Sequence, residues 1–204
     1  MELIIVRHAL PEKIINTDPL RPADPPLDSV GLKQAELVAT YLAEESIDAL
    51  YCSPMRRAVE TAAPIAKATG LAATICDGVA EYDRSSPEYI PIEELRATNH
   101  PNWLAMQRGE WAGTSDPAEF QRGVVDAIEG IIAAHPRQRV VVACHGGVIN
   151  AYLAYVLKTP SSLGFFEPFY TSIHRIMAAS TGQRSIVTVN EISHLRNTGL
   201  LGPR

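Results

Sequence analysis

The sequence is poor in cysteine, in basic side chains and in long apolar segments, and each shortage excludes a class of protein. Three cysteines without metal-type spacing argue against a disulfide scaffold and indicate a reducing compartment. Lys and Arg total 18 against 23 Asp and Glu, for a formal net charge of -5. Because nucleic-acid binding needs a basic face, we expect no nucleic-acid partner.

Segments suited to a membrane or to export are also missing. The apolar runs fall far short of the roughly 20 residues of a membrane span. The N-terminus lacks a basic segment followed by an apolar one, so no secretory signal is visible. We therefore expect a cytoplasmic protein with no membrane partner. Its 204 residues, 46% of them hydrophobic, suit a single domain covering residues 1–204.

Strand-like and helix-like segments alternate over most of the chain. Buried strands are predicted at 2–6, 49–52, 74–76 and 139–144, each followed by a helical pattern. Two apolar segments near the C-terminus predict a pair of antiparallel edge strands. The pattern indicates the α/β class, as a three-layer α/β/α sandwich with a mostly parallel central sheet and helices on both faces.

Some boundaries of these elements are marked by cap and breaker residues. Asp28 or Ser29 can cap one helix, and Ser53 the next, with a proline at the first helical position. Pro64 predicts a kink or break in that second helix. The proline-rich stretch 9–30 predicts an irregular loop.

Polar side chains follow four of the predicted strands. Because ligands of such sheets bind beyond the carboxyl ends of the strands, these side chains should share one site. Arginines and helix N-termini bind phosphate oxygens, a histidine can attack phosphorus, and a protonated carboxyl can protonate a leaving oxygen. Each group alone has an ordinary structural explanation, but together they predict a phosphoryl site. The groups are Arg7-His8, Ser53–Arg57, Asp77 with Glu81–Arg84, and His145–Gly147.

Several motifs, in this order, resemble the histidine phosphatase superfamily, which has the phosphoglycerate mutase-like fold. The resemblance spans most of the chain and implies a phosphatase acting through a phosphohistidine. The motifs are LIIVRHA (Leu3–Ala9), PPLDSVGLKQA (Pro25–Ala35), YCSPMRRAVETA (Tyr51–Ala62), the region of Glu81, and VVVACHGGVINAYL (Val140–Leu153).

The resemblance also implies roles for individual residues. His8 would be the nucleophile and Arg7 a phosphate ligand. The register of the second motif selects Arg57, rather than Arg56, as the second phosphate-binding arginine. His145 would bind the phosphoryl oxygens and stabilise the transition state.

Other assignments that follow from the resemblance are less direct. The proton donor is expected some two dozen residues after Arg57, which fits Glu81, with Asp83 as the competitor. Asn16 is the nearest match to an asparagine that contacts phosphate in the family. Arg84 is a candidate substrate ligand. Ala9 replaces the glycine of the family's RHG motif, which should be tolerated if its φ is negative.

The expected reaction transfers a phosphoryl group from a small phosphorylated substrate to His8 and then to water. No metal or other cofactor is expected, because two arginines and a histidine supply the positive field. A phosphoglycerate-type mutase and a non-catalytic phospho-ligand-binding module are the alternatives. A metal-dependent phosphoesterase is disfavoured, since no Asp/His cluster has ligand spacing.

The segment 77–115 is expected to form a cap over the site. Its aromatic side chains would suit a substrate with an apolar or ring-bearing part, although the tryptophans could equally pack the segment itself. A later aromatic cluster is read either as pocket wall or as the contact of a homodimer. The two sets are Tyr82, Tyr89, Trp103 and Trp111 in the cap, and Phe165, Phe166, Phe169 and Tyr170 after it.

Overall fold

The computed structural model describes residues 1–108, 110, 116–159 and 166–201. Within these residues, strands β1 to β8 are, in chain order, Glu2–Arg7, Ile14–Ile15, Ala49–Cys52, Ala73–Ile75, Glu88–Tyr89, Arg139–Cys144, Ile173–Ala178 and Arg184–Glu191. Helices α1 to α6 are Ser29–Leu42, Arg56–Thr69, Ile92–Ala97, Pro101–Gln107, Pro117–Ala134 and Gly146–Leu157. Trp111 and Phe165, two of the aromatic residues considered above, lie outside the described residues.

Six of the strands form one mixed sheet in the order β4-β3-β6-β1-β7-β8. The pairs β1/β6, β6/β3 and β3/β4 are parallel. The pairs β1/β7 and β7/β8 are antiparallel, so the predicted antiparallel edge is confirmed. The short strands β2 and β5 pair in a separate ribbon.

Alternate residues of the central strands enter two separate cores. Leu3 and Ile5 of β1 pack with apolar residues of α5 and α6. Ile4 and Val6 pack with residues of α1 and α2 on the opposite face. Because both faces are covered, β1 is apolar without alternation, as parallel strands of α/β proteins are. The three-layer arrangement predicted from the sequence is confirmed.

Three local predictions differ from the structure. The N-cap of α2 is Met55, because the Ser53 Oγ instead accepts the Met55 N–H in a turn that precedes the helix. Helix α2 continues through Pro64 and ends at Gly70, whose φ of 72° is the left-handed conformation that glycine adopts readily. The loop predicted for 9–30 contains β2, a strand of two residues.

The register of the sheet places the ends of β1 and β6 side by side. Arg7 is opposite Cys144, and the His8 N–H donates to the Cys144 carbonyl at 2.8 Å. The Ser53 N–H, after β3, donates to the Ala143 carbonyl. The residues that follow these three strands therefore meet at one edge.

Candidate active site

A cavity of about 640 Å³ lies at this edge of the sheet. Its floor is built from residues that follow β1 and β6, including His8 and Gly146. Arg57 from the first turn of α2 joins them, and Glu81 comes from the segment after β4. The strand ends thus bring together groups that are up to about 140 residues apart in sequence.

His8 is buried and held in one tautomer. Its Nδ1 lies 2.8 Å from the Ala9 carbonyl, which can only accept, so Nδ1 carries the proton and Nε2 keeps its lone pair. Burial, followed by the charges of Arg57 and Arg7, lowers the pKa of His8 well below its usual value. A neutral imidazole with a lone pair on Nε2 is a competent nucleophile.

Two buried arginines flank His8, and each retains an unused donor. Arg7 donates through Nη1 to the Pro168 carbonyl, and Arg57 donates through Nη2 to Asp83 Oδ1 at 2.9 Å. The Nε of Arg7 and the Nη1 of Arg57 are buried without a hydrogen-bond partner among the described protein atoms. Because both residues line the cavity, these donors can bind the oxygens of a phosphoryl group.

Tyrosine rings hold both guanidinium groups in place. The Arg7 Cζ lies 4.1 Å from the centroid of the Tyr170 ring, and the Arg57 Cζ lies 4.6 Å from that of Tyr89. These cation–π contacts order the arginines without using their N–H donors. Sequence reasoning did not assign these roles, because the two tyrosines come from β5 and from the loop before β7.

His145 lies against His8, with the ring centroids 5.2 Å apart. Its Nδ1 faces the Arg57 Nε at 3.3 Å, and its Nε2 lies 2.7 Å from the Ser53 Oγ. Because the Arg57 Nε–H can only donate, Nδ1 of His145 accepts this bond, and its Nε2–H donates to the Ser53 Oγ. Ser53 was predicted as a helix cap and as part of the Ser53–Arg57 group, but its contact with His145 was not predicted.

Glu81 is a buried carboxyl group held at the start of α6. Its Oε2 accepts the Gly147 N–H at 2.7 Å, and its Oε1 accepts the Tyr82 N–H at 3.1 Å. Burial, reinforced by the charge of Asp83, outweighs these bonds and raises the pKa of Glu81 to about 7. A Cβ at position 147 would lie 2.3 Å from Oε1, so the glycine permits this close approach.

Asp83, the other candidate acid, has a different hydrogen-bond partner. It is ion-paired with Arg57, and it also lines the cavity. Its Oδ1 accepts the bond from the Arg57 Nη2, whereas both Glu81 oxygens accept backbone N–H groups. The local environments therefore favour Glu81 as the acid.

Three further residues named from the sequence fall in different places. Tyr82 lines the cavity. Asn16 does not; its side chain donates to the Arg21 carbonyl in the proline-rich loop. Arg84 also lies off the cavity, because both its Nη groups bind Asp77 in an exposed ion pair. The structure thus does not bring Asn16 or Arg84 to the site.

Ala9 is accommodated without strain. It is fully buried, its φ is not positive, and its N–H donates to the Thr61 Oγ1 at 2.9 Å. Thr61 in turn donates to the Arg57 carbonyl at 2.7 Å. The alanine is therefore part of a hydrogen-bonded link between β1 and α2.

The rest of the cavity wall comes from the segment between 82 and 107 and from the residues before β7. Ile90 and Trp103 are among the apolar members, and Asn150 closes the side next to α6. The amide of Asn150 donates to the Gly146 and Phe166 carbonyls and fixes the loop after α6.

Neither a metal centre nor a membrane span is found in the described part of the chain. No three or more His, Cys, Asp and Glu side chains among these residues are grouped as metal ligands would be. Likewise, none of the described helices is both long and apolar enough to cross a bilayer.

Comparison with known proteins gives one consistent family. A sequence model of the histidine phosphatase superfamily (branch 1) matches residues 3–192. Phosphoserine phosphatase 1 of Hydrogenobacter thermophilus is 31% identical over 182 residues, which cover 85% of this chain and 86% of that protein. A metal-independent phosphoserine phosphatase of Arabidopsis thaliana is 29% identical over 192 residues, covering 86% and 75% of the two chains.

A solved structure shows the same fold. It is a phosphoserine phosphatase of Entamoeba histolytica, a histidine-to-alanine variant in complex with phosphoserine. It superposes with a TM-score of 0.74 at 22% identity, over 95% of this chain and 98% of that one.

Proposed function

This chain belongs to the histidine phosphatase superfamily and is a phosphomonoester hydrolase for a small phosphorylated substrate, and we propose that His8 is its nucleophile. The observation that carries the proposal is the neutral, buried imidazole of His8 between two arginines with unused donors. The tautomer of His8 leaves the Nε2 lone pair available.

In the first step, the Nε2 of His8 attacks phosphorus while the bond to the leaving oxygen breaks. Glu81, protonated below its pKa of about 7, donates its proton to that oxygen. Arg7, Arg57 and His145 bind the equatorial oxygens and stabilise the charge that they carry. In the structure the Arg57 Nε–H donates to Nδ1 of His145, so His145 contacts an equatorial oxygen by exchanging this bond for an Nδ1–H bond to phosphate, with the Ser53 hydroxyl then donating to Nε2. The product is an alcohol and a phosphohistidine.

In the second step, water replaces the alcohol. The Glu81 carboxylate takes a proton from water as the water oxygen attacks phosphorus. The phosphorus–nitrogen bond breaks, its electron pair returns to Nε2, and inorganic phosphate forms. A carboxyl group with a pKa near neutrality serves both steps, first as acid and then as base. The cap of this single-domain enzyme is formed by the described part of segment 77–115, which lines the cavity between residues 81 and 107.

The test is hydrolysis of p-nitrophenyl phosphate in the presence of EDTA, combined with rapid acid-free quenching to trap phosphohistidine. Wild-type protein is expected to turn over and to carry an acid-labile phosphoryl group. The variant His8→Ala is expected to lose both signals. His135→Ala is the matched control, because His135 binds Tyr51 and Gln138 away from the cavity.

The other outcomes separate the alternatives. Turnover that survives in His8→Ala would refute the nucleophile. A stable phosphohistidine that returns its phosphoryl group to an added alcohol faster than to water would indicate a mutase. Binding of phosphate with no turnover of any ester would indicate a non-catalytic binding module.

A further inference from the structure

We infer that the alcohol released by this enzyme has an apolar, ring-sized body and carries no anionic group. This inference rests on the proposed function, since it concerns the part of the substrate beyond the phosphoryl group. It would distinguish the natural substrate from phosphoserine and from phosphoglycerates, which carry a carboxylate next to the phosphoester.

The first observation is the chemistry of the cavity beyond the phosphoryl ligands. One side, called here the apolar wall, consists of aliphatic, thioether and aromatic side chains. Burying apolar ligand area against such a surface makes the binding free energy more favourable, whereas a charged group on the ligand gains nothing from it. The members of the apolar wall are Ile90, Ile92, Leu95, Trp103, Met106 and Phe166.

The second observation is the distribution of charge. Among the described residues that line the cavity, the only arginines are Arg7 and Arg57, and none is a lysine. Both arginines are committed to the phosphoryl group. The remaining lining residues include Glu88 and Glu167, which would repel a carboxylate on the substrate.

The undescribed internal stretches do not alter this balance, and the undescribed C-terminal residues 202–204 add one cation, Arg204. Residues 109, 111–115 and 160–165 contain no lysine, arginine or histidine in the sequence. They also contain no acidic residue. Whatever their placement, these stretches supply no counter-charge for an anionic alcohol.

Arg96 is a cation that contacts two residues of the cavity lining, and it is already engaged. Its two Nη groups donate to the two carboxylate oxygens of Glu167 at 3.2 and 2.9 Å. Its Cζ also lies 5.5 Å from the centroid of the Trp103 ring. Recruiting Arg96 to a substrate carboxylate would break a bidentate ion pair and expose Glu167 to the same carboxylate.

Three neutral donors among the other residues that line the cavity are engaged as well. The Asn102 amide donates to Glu88 Oε1, and the Asn150 amide donates to two carbonyls. The Ser86 hydroxyl donates to the Glu88 carbonyl. A bound carboxylate would therefore lose its water without gaining comparable partners, at a cost that an uncharged alcohol does not meet.

The experiment compares kcat/KM for two pairs of phosphate esters that each differ in a single group. Ethyl phosphate and 2-phenylethyl phosphate differ by the ring. Phosphoethanolamine and O-phosphoserine differ by the carboxylate. We expect the ring to raise kcat/KM by about tenfold or more, from burial on the apolar wall. We expect the carboxylate to lower it by about tenfold or more.

Single substitutions test which side chains cause these two effects on kcat/KM. Trp103→Ala is expected to reduce the preference for the ring severalfold. Leu104→Ala, on the same helix but exposed and off the cavity, is the matched control and should keep it. Glu167→Gln, which removes a negative charge and releases Arg96, is expected to raise activity on phosphoserine relative to phosphoethanolamine. Glu110→Gln, in the exposed pair with Arg108, is its control.

The wild-type ratios decide the inference even if a variant does not fold. The inference would be overturned if 2-phenylethyl phosphate and ethyl phosphate had similar kcat/KM values. It would also be overturned if phosphoserine were hydrolysed as well as phosphoethanolamine. Phosphatase activity would be intact in both cases. Failure on all four esters and on p-nitrophenyl phosphate, without phosphohistidine, would instead refute the proposed function.

Discussion

A carboxyl group with a pKa near 7 is present half in each form at neutral pH, which is the condition for acting as acid and base in one cycle. In Glu81 this pKa results from opposing effects. Burial and the charge of Asp83 raise it, while the Gly147 and Tyr82 N–H groups and Arg57 lower it. The balance depends on single contacts, so it can be shifted by single substitutions.

The first residue-scale prediction concerns pH. Because Glu81 must be protonated to release an alkyl alcohol, kcat/KM for ethyl phosphate should fall about tenfold per pH unit above about 7. His8 stays neutral across this range, since its pKa is well below the usual value. Glu81→Gln should lose about a hundredfold to ten-thousandfold in activity and show no such decline.

Two further measurements identify the residue. With p-nitrophenyl phosphate, whose leaving group needs no proton, Glu81→Gln should release about one nitrophenolate per enzyme before turnover slows. Asp83→Asn removes a neighbouring negative charge, so it should move the decline in activity to lower pH. If Asp83→Asn abolished the decline and Glu81→Gln did not, Asp83 would be the acid.

How far the sequence predicts this site depends on what holds each side chain. His8 and His145 directly follow strands, so the sheet alone fixes their positions. Arg84 lies in the segment after β4, but its ion pair with Asp77 holds it away from the cavity. Tyr170 lies in an aromatic stretch where pocket and packing residues look alike. Sequence periodicity does not identify residues that meet only through tertiary contacts.

At the scale of elements, long segments with a continuous apolar run were predictable and short ones were not. The bounds predicted for β3 and β6 match the structure, and β1 gains one residue. Strands of two residues such as β2 have no period to detect. The start of α2 was placed too early, because Ser53 and the proline after it form a turn that imitates a helix start.

The prediction at this scale concerns the cap of α1. The Asp28 Oδ1 accepts the Gly31 N–H at 2.6 Å, which satisfies a donor that the helix cannot. Asp28→Ala should lower the free energy of unfolding by about 1 kcal/mol in urea titrations at neutral pH. Asp28→Asn keeps an acceptor at this position and should stay close to wild type. Equal losses in the two variants would show that the charge, rather than the cap, matters.

Across the whole molecule, one ion-pair network joins distant parts of the chain. Arg175 in β7 binds Glu2 of β1 at 3.1 Å, Glu45 after α1 at 2.5 Å and Glu191 of β8 at 3.1 Å. Burial raises the pKa of Glu2, but its bonds to Arg139 and Arg175 outweigh this and lower it. The pKa of Glu191 is also lowered, against burial, by Tyr41 and Arg175.

The corresponding prediction is that Arg175→Met destabilises the protein by about 2 kcal/mol at pH 7, because it removes the cation that three carboxylates share. The carboxylates contribute stability above their ordinary pKa of 4.5 and lose it as pH falls through the lowered folded value. The difference in unfolding free energy between wild type and variant should therefore shrink below about pH 4.5.

Arg84→Met is the control, since its pair with Asp77 is exposed and should contribute less than about 1 kcal/mol. Chemical denaturation at several pH values measures both. If the difference in unfolding free energy between wild type and Arg175→Met stayed constant down to pH 3, the assigned role of the carboxylates would be contradicted.

The position of β1 has a consequence for the order in which the protein is made. It leaves the ribosome well before its sheet neighbours, β6 and β7, which begin only at Arg139 and Ile173. At a translation rate of roughly 5–20 residues per second, the apolar segment Leu3–Val6 has no strand partner for several seconds or more. Throughout that interval the nascent chain carries an unpaired apolar strand, and His8 and His145 cannot meet before β6 has been made.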